Sequence, residues 1–489
     1  MILLQNIPWL VLLVVLPLLG SMLCFLLPQR VKWLGLMTAL AITASVLALS
    51  YQVVNQGVLR YAVGGWGAPL GINLYVDGLS LLMLMVTALV GLAISIYSSG
   101  YFSHASFKRD EAQHFWPLWM LLWAALNALF LSADIFNLYV TLELMGLAAV
   151  ALVALAGGAD ALAGAMRYLL VSLLGSLCYL LGVALLYHSF GSVDIEMLGQ
   201  RVESSPAVWV AVGLMTAGLL LKTALFPLHF WLPSAHASAP APVSALLSAL
   251  VVKASFYILL RLWLEVFPVA SASMDQSLGQ LLGLLGVAAV LWGGFQALRQ
   301  TRLKLLVAYS TVAQIGYLFL AFPLSSIIGW NAVLYMLLSH AVAKTAMFLA
   351  AGNIMFYGGH DRIVDLDQVA QRLPLTLSAF GLAGISLMGL PPSGGFIAKW
   401  LLLEAAIRSG QWWWGIILIV GGLLTAAYVF KVIGYAFTQS DLPHEARIVP
   451  KRMEWVALLM ALLAIAMGLL APWLLALMEI GFPFAGKSL

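Results

Sequence analysis

Apolar residues along this chain gather in long blocks separated by short polar stretches. Most blocks run about 18–25 residues, enough for a helix to cross a hydrocarbon core of about 30 Å. Their approximate cores lie at 8–26, 31–51, 79–101, 115–131, 133–154, 164–188, 207–229, 241–264, 277–297, 303–322, 328–352, 373–404, 412–437 and 453–478. The pattern predicts an all-α polytopic membrane protein of about fourteen transmembrane helices. The first block has no early positive charge, Arg30 being the first cation, so it is expected to be a retained span and not a cleaved leader. The twelfth is long because Pro391-Pro392-Ser393-Gly394-Gly395 interrupts it.

Composition agrees. Of 489 residues 63% are hydrophobic and 9% charged, against roughly 25% charged in a soluble domain, which excludes a water-soluble fold. The 23 lysines and arginines test the count of spans. Five of them, Lys222, Lys253, Lys344, Lys399 and Lys431, lie inside apolar blocks. Loops after odd-numbered spans hold thirteen, Lys304 among them, and the opposite side holds five, Arg261 among them. Cations concentrate on the cytoplasmic side of membrane proteins, so this split implies fourteen spans with both termini on the non-cytoplasmic side. The net charge of +4 therefore reports topology and gives no reason to expect nucleic acid. Cys24 and Cys178 stand singly in apolar blocks, which leaves disulfide frameworks, zinc sites and iron–sulfur ligation without support.

The tail Gly481-Phe482-Pro483-Phe484-Ala485-Gly486-Lys487-Ser488 spells a phosphate-loop pattern, but without the strand before it and helix after it that such a loop needs it is read as a chance match. No block carries two histidines on one face, so haem ligation is equally unsupported, and no cofactor or metal is expected. The informative residues are ionisable groups at membrane depth, where a charge is expensive and commonly marks an ion pathway. Glu143, Lys222, Lys253, Lys344 and Lys399 stand out, with His340 one turn before Lys344 on the same face. A structural ion pair is the plainer reading of Glu143. Snorkelling competes for Lys222 and Lys344, and Lys431 reads equally well as interfacial.

Two breaks accompany the charges. Pro227-Leu228-His229-Phe230-Trp231-Leu232-Pro233, with His236 beyond it, and Pro391-Pro392-Ser393-Gly394-Gly395 both remove backbone donors inside apolar segments. Such interruptions persist in a membrane only where protein or water satisfies the freed groups. Paired discontinuous helices are the usual pointer to a transport site between inverted repeats, although a simple proline kink is the alternative. Lys222 to Lys253 spans 31 residues and Lys399 to Lys431 spans 32, each beginning beside a break. The tenth block offers Tyr309, Ser310 and Gln314 and no carboxylate to match Glu143, so the halves are alike in architecture and not in chemistry.

These stretches carry a resemblance. Lys222 through Pro227 and His229 to His236, then Pro240 to Lys253, resemble the core signature of the antiporter-like subunits of respiratory complex I, Mrp-type Na+/H+ antiporters and membrane-bound hydrogenases. So do Lys304 to Ser310 with Gln314 to Tyr317, His340 to Lys344, Gly389 to Lys399, and Gly64 to Ile72 followed by Asp77 to Ser80. The chain looks most like the D-type member of the Mrp antiporters or its hydrogenase relatives. The resemblance implies fourteen helices with two inverted five-helix repeats and broken helices seven and twelve. It divides the chain into 1–110, a first repeat at 111–270, a second at 271–440 and a C-terminal helix at 441–489. It also implies a charged axis for protons through Glu143, Lys222, Lys253, His340, Lys344 and Lys399, supported at the breaks by Pro227, His229, His236, Pro391 and Pro392.

The function expected is proton translocation within a multisubunit complex, either monovalent cation/H+ antiport or complex I- or hydrogenase-type pumping. Expected partners are other membrane subunits, protons, and Na+ or another monovalent cation, in a bacterial cytoplasmic membrane. Two alternatives stand beside it: a self-sufficient secondary transporter, and a membrane anchor or quinone-associated subunit of a redox enzyme, whose redox chemistry would reside in other chains.

Overall fold

The computed structural model describes residues 8–103, 109–267, 275–439 and 447–481, so the phosphate-loop pattern beyond Gly481 lies outside the described residues. The main helices in chain order are α1 (Trp9–Leu26), α2 (Val31–Gln56), α3 (Gly78–Tyr101), α4 (Arg109–Leu131), α5 (Ile135–Ala154), α6 (Ala159–Phe190), α7 (Pro206–Thr223) and α8 (Ala241–Val266). They continue with α9 (Asp275–Arg299), α10 (Leu303–Leu318), α11 (Ile327–Gly358), α12 (Pro374–Met388), α13 (Gly394–Arg408), α14 (Trp413–Tyr435), α15 (Lys451–Ala466) and α16 (Ala471–Met478). Fourteen crossings are expected from hydropathy. The described residues hold twelve helices long and apolar enough to cross alone, and one pair, α15 with α16, bent by 77°. The block at 373–404 is two helices of 15 residues, α12 and α13, with the Pro391-Pro392 break between them.

Side chains explain where the helices start. Asp77, Asp134, Asp194, Ser205, Ser326 and Ser393 each accept a hydrogen bond from a backbone N–H three residues on, satisfying a donor that the first turn leaves free. Gly389, at φ 82°, closes α12 in the left-handed conformation that a side chain resists. Among the described residues the all-α expectation has one exception, a hairpin of β1 (Leu59–Ala62) and β2 (Asn73–Val76) in the stretch before α3. Strand edges are tolerable there because that stretch is mostly exposed at the end of the bundle, where water can reach the unpaired backbone.

Loops segregate. The hairpin, the turn at 132–134 and the segment at 192–195 meet on one face: Ala133 N–H donates to Asn73 O, Ile195 N–H to Ala133 O, and Gly78 N–H to Ile480 O. The opposite face joins 300–303 to 361–363 and 447 to Tyr357. Burial orders the helices: the apolar windows of α8 and α11 are wholly buried, whereas those of α1 and α14 are 28% and 33% buried and present large apolar side chains outward. With α10, the two buried helices form the centre, and the ionisable groups converge on it.

Candidate functional site

The first cluster depends on close helix packing. α6 and α7 cross where Gly175 faces Gly218, and a Cβ on Gly175 would lie 2.8 Å from the Gly218 carbonyl. One turn beyond that crossing, Lys222 reaches Ser172 of α6, its Nζ donating to Oγ at 2.9 Å. Glu143 Oε2 on α5 lies 3.7 Å from the same ammonium and accepts a hydrogen bond from Ser176. Gly146 leaves room for the group, since a Cβ there would sit 2.6 Å from Ser172 Oγ. The Lys222 side chain is 3% exposed and that of Glu143 19%, so Lys222 does not snorkel to an interface.

The remaining lysines hang on α10. Its residues Val307, Ser310, Thr311, Gln314 and Tyr317 recur at helical spacing and form one buried stripe. Lys344 of α11 donates to Val307 O at 2.9 Å and to Ser310 Oγ. On the α8 side, Thr311 Oγ1 meets Ser248 Oγ at 2.9 Å, and the Ser248 carbonyl accepts from Lys253 Nζ. A π-helical turn at Leu247–Val251 widens the backbone just before Lys253, an irregularity often found at functional sites. Gln314 donates to Leu387 O at 3.3 Å, and Lys399 donates to that same carbonyl at 2.9 Å and to Met388 O at 3.0 Å. Its ammonium thus sits at the carbonyl end of α12, the negative end of the helix dipole, and 4.5 Å from the centre of the Tyr317 ring.

The structure therefore brings Lys253, Lys344 and Lys399 into one chain of contacts through α10, and joins Glu143 to Lys222 in a second. Among the described residues no direct hydrogen bond connects the two. His340 is buried on α11, and neither ring nitrogen has a hydrogen-bond partner among the described residues. The same holds for His236, which stacks on Phe348 with ring centres 4.8 Å apart. His229 stacks on Phe226 at the first break, 5.4 Å centre to centre, next to Pro227. There α7 ends at Ala224 with φ 59°, and Trp231 donates to Leu221 O at 2.9 Å, closing the freed backbone from the side. Pro391 and Pro392 are exposed, and the Pro392 carbonyl packs against Gly468, so the second break abuts the bend between α15 and α16.

Two lysine and arginine assignments change. Lys304 is not a loop cation: it is buried in the first turn of α10 and donates to the carbonyls of Ala237 and Ala239 after the first break. Arg261 is not one either. It is buried in α8 with Nη2 2.5 Å from Asp77 and Nη1 2.5 Å from Glu265. Lys431 caps a neighbouring helix, donating to Leu298 O and Gln300 O at 2.8 and 2.7 Å. Ser172, Ser176, Ser248 and Thr311 carry no signal in the sequence, being ordinary hydroxyl residues whose partners lie 33 to 63 positions away. Among the described residues no group of three His, Cys, Asp or Glu could hold a metal.

Comparison with known proteins bears on what such an arrangement does. A family model described as NADH:quinone oxidoreductase/Mrp antiporter, TM, matches residues 132–425, and one described as NADH-ubiquinone oxidoreductase (complex I), chain 5 N-terminus, matches 66–110. NADH-quinone oxidoreductase subunit N of Desulforudis audaxviator is 38% identical over 406 residues, covering 82% of this chain and 80% of its own length. The D-type member of the Na(+)/H(+) antiporter of Bacillus subtilis is 26% identical over 472 residues, with 94% and 93% covered. A chain of the Mrp complex from Dietzia sp. superposes with a TM-score of 0.87 at 27% identity, covering 97% of this chain and 98% of that one.

Proposed function

From the premise that the chain belongs to the NADH:quinone oxidoreductase/Mrp antiporter family, we propose that it is a proton-translocating membrane subunit of a multisubunit complex, with the transport route running along the lysines of its buried axis. The observation that carries this is the α10 stripe, which links three deeply buried amines in an apolar bundle. A structural role alone gives no reason to place Lys253, Lys344 and Lys399 where, among the described residues, no carboxylate pairs with them.

Glu143 and Lys222 are the switch. At 3.7 Å the pair gains about 4 kcal/mol of Coulomb attraction at an effective dielectric near 20. When the pair is closed, the charge on Lys222 is compensated. When it opens, protonated Lys222 repels the next cation, and a proton at Lys253 moves by way of Ser248 and Thr311 toward Lys344, His340 and Lys399. Water completes the steps that side chains do not span. The units 111–270 and 271–440 each contribute one broken helix, with Pro227, His229 and His236 supporting the first break and Pro391 and Pro392 the second.

The reading places the chain in a bacterial cytoplasmic membrane with both termini outside the cytoplasm, beside other membrane subunits of an Mrp-, complex I- or hydrogenase-like assembly. The exchanged ion is Na+ or another monovalent cation if the parent complex is an antiporter. Everted vesicles carrying the assembled complex test this. Lys222→Ala and Lys399→Ala should each abolish proton movement while assembly persists, and full transport by either assembled variant would defeat the proposal.

A further inference from the structure

α15 enters the bundle on the face where Arg447 meets Tyr357, and its residue Glu454 is turned inward. The Glu454 side chain is 1% exposed, whereas Lys451, one turn earlier, is 75% exposed and holds Glu454 Oε1 at 2.9 Å. The other carboxylate oxygen accepts from Thr376 Oγ1 of α12 at 3.4 Å. Thr376 in turn accepts from the amide nitrogen of Asn353 on α11 at 3.2 Å. Asn353 is fully buried, and its Oδ1 has no hydrogen-bond partner among the described residues.

A carboxylate in a first turn suits the helix dipole, and a surface Lys–Glu pair adds little. Neither fact accounts for a carboxylate driven under two other helices, or for an amide oxygen left without a donor in the interior. A buried acceptor in that condition is normally met by an internal water. Resting on the reading above, we infer that Glu454, Thr376 and Asn353 form a proton port connecting this face to the interior along α11.

The step balances without any redox partner. A proton from bulk water binds Glu454, which donates it to Thr376 Oγ. Thr376 releases its own proton to a water held at Asn353 Oδ1, and Glu454 returns to the carboxylate with one positive charge moved inward. Lys451 holds the carboxylate in place between turnovers. Asn353 lies nine residues beyond Lys344 on α11, about 13 Å along the axis, which is the span a file of waters must cover. Tyr97 of α3 donates to Leu349 O within that interval.

The surroundings of Glu454 are simple. Its own helix supplies Lys451 and Arg452, the latter within 3.4 Å of Ser99 on α3 and close to Gly100. α11 and α12 present Asn353 and Thr376, while α13 meets α15 at the far end, where Gly394 lies against Met467.

The test uses the assembled complex in everted vesicles, with proton movement followed by a ΔpH-sensitive dye under whichever driver, Na+ addition or NADH oxidation, works for the wild type. Glu454→Gln keeps the shape and one acceptor oxygen and cannot carry a proton. It should assemble normally and slow transport by about tenfold or more. Glu454→Asp should restore most of the rate with a displaced pH profile, and Thr376→Val should be slow like Glu454→Gln. A fully active Glu454→Gln complex beside an inactive Lys399→Ala complex overturns the port alone; full activity in both overturns the proton-axis reading with it. Failure of Glu454→Gln to assemble would make the carboxylate a structural tie, and the port falls.

Discussion

Ser248 and Thr311 face each other across α8 and α10 with their hydroxyl oxygens 2.9 Å apart, both fully buried. One of these residues holds Lys253 through its carbonyl, and the other stands next to Ser310, which holds Lys344. This contact is the join between the two ends of the lysine chain.

Thr311→Val removes the hydroxyl and keeps the shape. Stability should fall by about 1–3 kcal/mol, because the buried Ser248 hydroxyl loses its partner. Transport should slow by about tenfold, because a proton-carrying hydroxyl is gone from the step after Lys253. Thr311→Ser should behave as wild type. Parallel transport and thermal-stability measurements separate the two effects, and unchanged transport in Thr311→Val would remove α10 from the route.

Glu143→Gln leaves Lys222 without its counter-charge but with its bond to Ser172 intact. The complex should therefore assemble, and proton movement should drop by about a hundredfold. Ser176→Ala, which loses one bond to the carboxylate and no charge, should retain most of the activity. Equal losses in the two variants would argue that geometry, and not charge, is what matters at this corner.

Asp77 and Arg261 form a buried pair with no surface screening, 0% and 4% exposed. Removing Asp77 leaves the buried Arg261 with Glu265 as its counter-charge. Asp77→Asn should lower the unfolding free energy by about 1.5–3 kcal/mol, the worth of a hydrogen bond to a charged group, and the detergent-solubilised melting temperature accordingly. A neutral single variant would mean that water reaches the pair.

Gly218→Val tests the α6–α7 crossing. A Cβ at 218 runs into the Gly175 carbonyl, with the Tyr179 nitrogen at 3.1 Å, and backbone cannot step aside as a side chain can. Forcing the helices apart should destabilise by about 1–3 kcal/mol and draw Lys222 away from Ser172. Both melting temperature and transport should fall. Transport at the wild-type rate would show that the close crossing does not set the position of Lys222.

Hydropathy alone settles that this chain is a helical membrane protein, because each span must be apolar over a bilayer's width whatever it packs against. Composition likewise marks Glu143, Lys222, Lys253, Lys344 and Lys399, since charges in such blocks are conspicuous without any partner. Environment is different. Lys304 and Arg261 read as loop cations because position relative to a helix end says nothing about which side chains close over it. Only packing buries one against the Ala237 and Ala239 carbonyls and the other between Asp77 and Glu265. Ser248, Thr311 and Thr376 are unremarkable in one dimension, and Glu454 looks like any acid opening a helix. Hydrogen bonds act over a few ångströms and join residues distant along the chain, so which hydroxyl serves which amine is decided only when the helices come together.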